Sequence, residues 1–246
     1  MLHNIWNALL YRPLVNILAA FVAIVPGGDV GLAIIILTVL VKVILFPLSQ
    51  RSIENQAKMK ILEPEINAIK ANGASKEEQA RQTMELYKKY KTNPFAGCLL
   101  VLIQIPIIFA LYYAFYKGMA SFDSGILYPF IHVPTKISMN FLGIMDIGGK
   151  SLILAILAGI SQFFLAYFMP KQKPVTGGAN KGTSFQESLS RSMNMQMKYI
   201  FPIVVALIAY NVSGAIALYW FTSNIFSIGQ QLYSNKKHKE LVPVKA

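Results

Sequence analysis

Long apolar runs constrain the fold of this chain more than any other feature of its sequence. Segments 98–116 and 151–169 each contain 19 residues without a charge, and segment 30–48 contains a single charged residue, Lys42. A helix of about 20 apolar residues crosses the roughly 30 Å hydrocarbon core of a bilayer. We therefore predict that each of these three segments spans a membrane as a helix.

A fourth apolar region, 199–233, is also uncharged but is too long for one span. As a single helix it would be about 50 Å long, and the Asn-Val-Ser-Gly sequence at 211–214 supplies turn residues at its midpoint. We interpret the region as a helical hairpin. The predicted fold class is an all-α membrane protein with five transmembrane helices, at about 30–48, 94–117, 150–169, 195–211 and 214–233.

The charged residues predict the orientation of these spans. The 246 residues include 23 Lys and Arg against 11 Asp and Glu, a net charge of +12 that fits a nucleic-acid-binding protein or a membrane protein. A charged fraction of 14% favours the membrane, because soluble proteins average about 25%. Eighteen of the 23 basic residues lie in segments 49–93, 170–198 and 234–246. The positive-inside rule then predicts an outer N-terminus and a cytoplasmic C-terminus.

Residues 1–26 show a helical apolar pattern with polar residues on the opposite side, among them Asn7, Arg12 and Asn16. This amphipathic pattern, with a break at Pro13, predicts a helix that lies on the outer surface of the membrane. A signal peptide and a sixth span are the alternatives.

Segment 49–93 is predicted to form an antiparallel helical hairpin in the cytoplasm, between the first two spans. Gly73 can end its first helix, and Ser75 begins a capping-box sequence that can start the second. The apolar residues at coiled-coil spacing include Met59, Leu62, Ile66, Met84 and Tyr87. The hairpin is either a docking arm for a cytoplasmic partner or a solvated structure without one.

Two further segments are predicted to be cytoplasmic and without a fixed fold. Segment 170–194 is rich in Gly, Ser and Thr and is predicted to be a flexible loop, and segment 234–246 is predicted to be a disordered basic tail. Basic clusters of this kind can bind RNA or anionic lipid, although enforcing the topology is their simplest role.

Lys42 needs a specific explanation, because it lies within the first predicted span, about 9 Å from the cytoplasmic end. A charge at this depth costs about 2.5–3.5 kcal/mol on insertion scales, and no Asp or Glu lies in any predicted span to pair with it. One interpretation is that the side chain snorkels toward the interface. The other is a hydrated cavity within the membrane, in which the cation attracts acidic segments. Its other members would be polar residues of the remaining spans: Gln104, Ser161, Gln162, Thr222, Ser223 and Asn224.

Catalytic and metal-binding patterns are missing from the sequence. It contains no P-loop, no Gly-rich dinucleotide-binding sequence and no nucleophile triad, and its one cysteine and three histidines are far apart. We therefore expect that the protein is not an enzyme and binds no cofactor.

Four stretches, taken in order, resemble the YidC/Oxa/Alb family of membrane-protein insertases. They are GLAIIILTVLVKVILFPLSQRS, KMKILEPEINAIK, LYKKYKTNPFAGCLLVLIQIPIIFALYYAF and SGAIALYWFTSNIFSIGQQ. The resemblance implies five core helices, a cytoplasmic hairpin, and a groove open to the cytoplasm and to lipid. Lys42 stands where the family usually has an arginine, and Gln104, Gln162 and Trp220 match family positions. The implied client-binding groove contains Lys42, Gln104, Ser161, Gln162, Trp220, Ser223 and Asn224.

The resemblance also implies a function. The chain would insert membrane proteins and help them fold, alone or with the Sec translocon. Its partners would be nascent membrane-protein clients captured by the hairpin, the ribosome and the lipid bilayer, and not DNA. The expected location is the bacterial inner (cytoplasmic) membrane, in a minimal form without the large periplasmic domain of some members. The alternatives are an assembly scaffold without insertase activity and a small-solute transporter.

Overall fold

In a computed structural model of the chain, the described residues are 6–93, 96–114, 125–132, 134–169 and 195–241. Most of them are helical, in α1 (Arg12–Ile24), α2 (Val30–Ala71), α3 (Lys76–Lys89), α4 (Ala96–Tyr113), α5 (Leu152–Phe168), α6 (Phe201–Val212) and α7 (Gly214–Leu241). Strands β1 (Asn140–Phe141) and β2 (Met145–Asp146) form one short antiparallel hairpin. The predicted all-α class is confirmed for the described residues, apart from this β-hairpin.

The helix lengths are consistent with a membrane protein. Two helical stretches, Asn7–Ile24 and Val30–Ile69, are both long and apolar enough to cross a membrane. Gln104–Tyr113, Leu152–Phe168 and Lys198–Val212 are apolar but shorter. The number of spans and their direction stay predictions.

Helix α2 is continuous over 42 residues, so the first predicted span and the first arm of the insert are one helix. Asp29 starts it by accepting hydrogen bonds from the backbone N–H groups of Gly31 at 2.8 Å and Leu32 at 3.2 Å. Gly73, with φ of +67°, redirects the chain just after the helix ends. The predicted boundary at residue 49 therefore falls inside a helix.

Helix α7 runs past the predicted end of the last span, at residue 233, to Leu241. Residues 234–241 are thus helical, which corrects the prediction of a disordered tail in this part of the chain. Packing explains the extension, because Ser234 is buried and accepts a hydrogen bond from Gln50 of α2 at 3.3 Å. Residues 242–246 and the predicted flexible loop 170–194 lie outside the described residues.

Helix α7 lies at the centre of the bundle and packs against α2, α5 and α6. Small residues allow the helices to approach closely: Ala155 and Ala158 on α5 and Ala217 on α7 are at most 2% exposed. At Gly159 of α5, a Cβ atom would lie 2.9 Å from the Cβ of Ala206 on α6. Van der Waals contact at short interhelical distance therefore contributes much of the stability of this bundle.

Segment 134–149 joins the ends at which α2, α5 and α7 begin, and we call this the outer end of the bundle, after its predicted orientation. The backbone N–H of Val30 donates to Ser138 O at 3.0 Å, and that of Gly214 donates to Gly149 O at 2.8 Å. The β-hairpin lies within this segment, so it is held against the outer ends of the helices.

Helix α1 packs its apolar face against the bundle through the buried residues Leu18 and Val22. Asn16, which the sequence pattern places on the polar side, is 1% exposed. Its Nδ2 donates to Ile126 O at 3.0 Å, and its Oδ1 accepts from the N–H of Tyr128 at 2.6 Å. A distant loop thus covers part of the polar side, which periodicity along α1 cannot reveal. The location of α1 on the membrane surface stays a prediction.

The predicted helical hairpin in segment 49–93 is formed by the C-terminal half of α2 and by α3. Ser75 starts α3 by accepting a hydrogen bond from the N–H of Glu78 at 3.2 Å, as expected from the capping-box sequence. The hydroxyl of Tyr90 donates to Glu65 Oε1 at 2.9 Å and ties the end of α3 to α2. The cytoplasmic location of the hairpin stays a prediction.

The core of this hairpin contains Leu62, Ile66 and Leu86, which are buried, with Tyr87 packed against them. Met84 is 47% exposed, so the prediction from coiled-coil spacing that it packs between the two helices is wrong. Helix α3 is mostly polar and offers few apolar residues from which the inward face can be judged. Contact with α2 selects the face that carries Leu86.

Candidate functional site

Lys42 lies in the part of α2 that is predicted to span the membrane, about 18 Å along the helix axis from Val30. Its Nζ donates to the Oγ of Ser227 on α7 at 3.0 Å. The Ser227 hydroxyl donates in turn to the backbone O of Ser223 at 2.9 Å. Within the described ranges Lys42 makes no ion pair with a carboxylate, so its partner here is a neutral hydroxyl.

Helix α7 supplies most of the polar atoms around this lysine. Its polar residues recur every three or four positions and therefore share one side of the helix. They are Tyr219, Ser223, Asn224, Ser227, Gln230, Gln231 and Ser234. Because α7 packs against α2 and α5, the polar residues of those helices meet this polar stripe.

Two predicted groove residues meet on the α5 side of the stripe. The amide of Asn224 donates to Ser161 Oγ at 3.1 Å, and both side chains are at most 4% exposed. The Ser161 hydroxyl also donates to Ala158 O at 2.9 Å. Such a buried polar pair satisfies its own hydrogen bonds and fixes the register between α5 and α7.

A third contact lies nearer the outer end. The amide of Gln104 on α4 donates to the hydroxyl of Tyr219, which is buried and also interacts with Ser223. Tyr219 precedes Ser227 by eight residues, or about 12 Å along α7. The predicted polar residues are therefore distributed along the stripe at several depths and do not form one cluster around Lys42.

The remaining two predicted groove residues are placed differently. Gln162 is half-buried and makes no hydrogen bond to the residues that the structure describes. Trp220 is half-buried and packs against the apolar core, beside the stripe. Neither residue contacts Lys42 through a polar bond in the described part of the chain.

Sequence reasoning missed the polar contacts between α2 and α7 beyond Lys42. Ser49 exchanges hydrogen bonds with Gln230, at 2.9 Å to Oε1 and 2.8 Å from Nε2. Gln50 donates to Ser234 at 3.3 Å. Polar residues at helical spacing on both segments could have indicated these contacts. However, they lie where the predicted spans end, and polar residues are common at the membrane–water interface. Tyr219 was not predicted as a site residue, because a tyrosine within an apolar run is typical of the hydrophobic core.

The predicted capture residues of the hairpin divide into two groups. Leu62 and Ile66 are buried in the core of the hairpin itself and are not presented to a partner. Met59 and Tyr87 are half-buried, and burial raises the pKa of Tyr87. Met84 is exposed and can contact a partner directly.

A family profile described as 60Kd inner membrane protein matches residues 21–241. The chain belongs to the YidC/Oxa/Alb family. The matched range includes every residue of the polar stripe and of the helical hairpin, so the predicted family resemblance is confirmed over nearly the whole chain.

Curated relatives of this YidC/Oxa/Alb chain carry insertase names. It is 32% identical over 214 residues to the membrane protein insertase YidC of Fusobacterium nucleatum, covering 85% of this chain and 88% of the relative. It is 33% identical over 239 residues to YidC of Oceanobacillus iheyensis, covering 95% and 84%. Membrane protein insertase MisCA of Bacillus subtilis is 29% identical over 234 residues, covering 92% and 78%.

Proposed function

We propose that this chain is a membrane-protein insertase of the bacterial inner membrane. The observation that carries the proposal is the contact between Lys42 and Ser227: a cation in the membrane-spanning part of α2 has a neutral partner on a polar stripe. Its family membership and the insertase names of its relatives support the same activity. Clients would bind in a groove along the stripe, open to the cytoplasm and to lipid, with Lys42, Gln104, Ser223 and Asn224 among its residues.

The first proposed step is capture of a client segment by the cation. Moving a carboxylate or a peptide group out of water costs several kcal/mol unless another polar group replaces the water. A carboxylate about 4 Å from Lys42 gains about 4 kcal/mol at an effective dielectric constant of about 20. The hydroxyls and amides of the α7 stripe offer further hydrogen bonds to the client backbone. Together they lower the cost of taking an acidic outer segment part-way across the membrane.

The second proposed step is transfer of the apolar client segment to lipid. Helix α5 exposes a stripe of large apolar side chains at helical spacing, each about half-exposed or more: Ile153, Ile156, Ile160 and Phe164. A client helix would leave the groove along α5 and α7. Burial of its apolar surface, worth about 25 cal/mol per Å², drives this step, so the protein itself needs no ATP.

Anchors near the two ends of the apolar helical stretch Lys198–Val212, which includes α6, favour a locally thin bilayer. Lys150 lies 5.5 Å from the ring centroid of Tyr210, and Lys198 lies 5.1 Å from that of Tyr199. Lysine and tyrosine favour the membrane–water interface. Tyr199 and Tyr210 are only about 16 Å apart along the helix, about half the usual hydrocarbon thickness. A thinner membrane beside α6 would shorten the path of the client.

In the proposed orientation the N-terminus lies outside, and the helical hairpin and the C-terminus lie in the cytoplasm. The hairpin would meet the client as it leaves the ribosome, through exposed residues such as Met84 and Ile61. The same activity would operate alone or beside the Sec translocon, and it would include assistance to folding.

Reconstitution of the full chain into liposomes of bacterial phospholipids tests the proposal. A single-span client with a short acidic outer segment is synthesised outside the liposomes, and protection of that segment from protease reports insertion. We expect a several-fold larger protected fraction than in empty liposomes, and a smaller gain for the same client with Asn and Gln in place of Asp and Glu.

Three results would contradict this function. Equal protection with and without the protein excludes insertase activity. A client that binds the proteoliposomes but stays accessible to protease indicates an assembly scaffold. Passage of small solutes without client insertion indicates a transporter.

A further inference from the structure

The turn of the β-hairpin at the outer end has an unusual residue at a strained position. The N–H of Ile144 donates to Phe141 O at 3.0 Å and closes a four-residue turn. Its two central residues, Leu142 and Gly143, have φ of +54° and +71°, as in a type I′ turn. The first central position of such a turn favours Asn, Asp or Gly, because a branched or bulky side chain is strained at positive φ. Leucine therefore occupies this position against the preference of the backbone.

The side chains at this turn are apolar and unusually exposed. Leu142 is 56% exposed, and Ile144, at 86%, is the most exposed large apolar side chain among the described residues. Phe141 packs over Gly31 at the start of α2 and fixes the other side of the hairpin. Leu142 and Ile144 point away from that fixed side. A solvated turn would gain nothing from apolar residues at these positions.

Contacts with the helices set the level of this turn relative to a membrane. Leu142 N–H donates to the carboxylate of Asp29, the residue that starts the membrane-spanning part of α2, at 2.7 Å. The N–H of Ala215, at the start of α7, donates to Ile147 O at 2.9 Å. The turn is thus held at the depth where the apolar helices begin. Nearby, Lys150 over the Tyr210 ring forms a pair typical of the membrane–water interface.

We propose that the apolar tip, Leu142 and Ile144, inserts into the lipid leaflet at the outer end of the bundle and anchors the β-hairpin there. The tip continues the apolar surface of the helices to which it is bonded, and the basic residues nearest in sequence, Lys136 and Lys150, suit phospholipid headgroups. The proposal needs only the membrane location of the chain and is independent of insertase activity.

Spin-label accessibility in the reconstituted full chain tests the depth of the tip. Cys98→Ser removes the single native cysteine, and Ile144→Cys then carries a nitroxide label. Lys136→Cys, at an exposed position of the same outer segment, carries the same label as a control. Collision rates with oxygen, which concentrates in lipid, and with a water-soluble nickel chelate are measured in phosphatidylethanolamine–phosphatidylglycerol liposomes.

We expect the ratio of oxygen to nickel collisions to be several-fold higher at position 144 than at position 136. Leu142→Asn places the residue that the turn prefers, so the hairpin keeps its fold, and it should shift the ratio at 144 toward that of the control. Equal ratios at 144 and 136 would overturn the proposal, since the tip would then lie in water. Low collision rates with both reagents, with dipolar broadening that disappears on dilution with unlabelled protein, would overturn it in favour of contact with a second copy.

Discussion

The ammonium group of Lys42 donates to the hydroxyl of Ser227 at 3.0 Å, although 185 residues separate the two in the chain. A neutral hydroxyl orients the lysine without cancelling its charge, whereas a carboxylate partner would do both. In the proposed function, this cation therefore keeps a charge that can attract an acidic client. The contact also fixes α2 against α7, so the position of the charge depends on the packing of these two helices.

Substitutions at Lys42 should separate charge from hydrogen-bonding geometry. With the proposed function, Lys42→Glu should abolish most insertion of an acidic-tailed client in liposomes, because the proposed groove would then repel the acidic segment. Lys42→Arg should retain activity, since it keeps the positive charge. Ser227→Ala should cause a smaller loss, because it removes one orienting bond. Wild-type activity in Lys42→Glu would show that the electrostatic role is wrong.

The core of the helical hairpin predicts a large and a small loss of stability for substitutions at two nearby residues of α3. Leu86→Ala should destabilise the hairpin by about 2 kcal/mol, because it leaves a cavity beside Leu62 and Ile66. Met84→Ala should change stability by less than about 0.5 kcal/mol, because Met84 is exposed. Hydrogen exchange of segment 76–89 should be up to about thirtyfold faster in the first variant. Equal exchange in both variants would contradict the assigned face.

Close packing between α5 and α6 predicts that a larger side chain at position 159, in place of Gly159, destabilises the protein. A Cβ there would lie 2.9 Å from Ala206 Cβ and 3.1 Å from Pro202 O, whereas at Gly229 of α7 it would meet nothing within 4 Å. Gly159→Leu should therefore cost about 1–3 kcal/mol and lower the melting temperature in detergent by several degrees. Gly229→Leu is the matched control, because both changes replace a helical glycine. Equal melting temperatures would argue against the described interface.

The ion pairs of α3 predict that the stability of this helix decreases at low pH. Hydrogen bonds from Arg81 and Gln82 lower the pKa of Glu78 from its ordinary value of 4.5 to about 2. Because the pKa is lowered in the folded state, the stabilisation is complete above pH of about 4.5 and is lost as the pH falls toward 2. Carbon NMR of the Glu78 carboxyl group should follow this titration. Arg81→Gln should raise the pKa, and added salt should reduce the shift, because the pair is on the surface.

An unshifted Glu78 carboxyl in the native chain would contradict the ion pair. The same titration in the Arg81→Gln variant is the internal control, since it removes the hydrogen bonds from Arg81 and leaves Gln82 in place. Any effect on the hairpin should be confined to α3, whose core contacts with α2 are apolar.

Several features could be predicted from local sequence because they depend on neighbouring residues. Ser75 starts α3 through a bond three residues away, and Gly73 is needed where φ is positive. Lys42 was conspicuous because a single charge interrupts an apolar run. The inward face of α3 could not be predicted in the same way, because Leu86 is selected by contact with residues twenty or more positions earlier.

The sequence by itself determined the apolar helices, the family and the presence of a lone charge in an apolar run, since hydrophobic runs, caps and motifs are local properties. Only the tertiary structure decided the partners of that charge and of the polar residues. Ser227, Gln230 and Tyr219 became part of the site because α7 packs against helices that are distant in the chain. Asn16 became a buried contact for the same reason. A hydrogen bond needs both groups within about 3 Å, and that proximity is created by the packing of helices and not by their order in sequence.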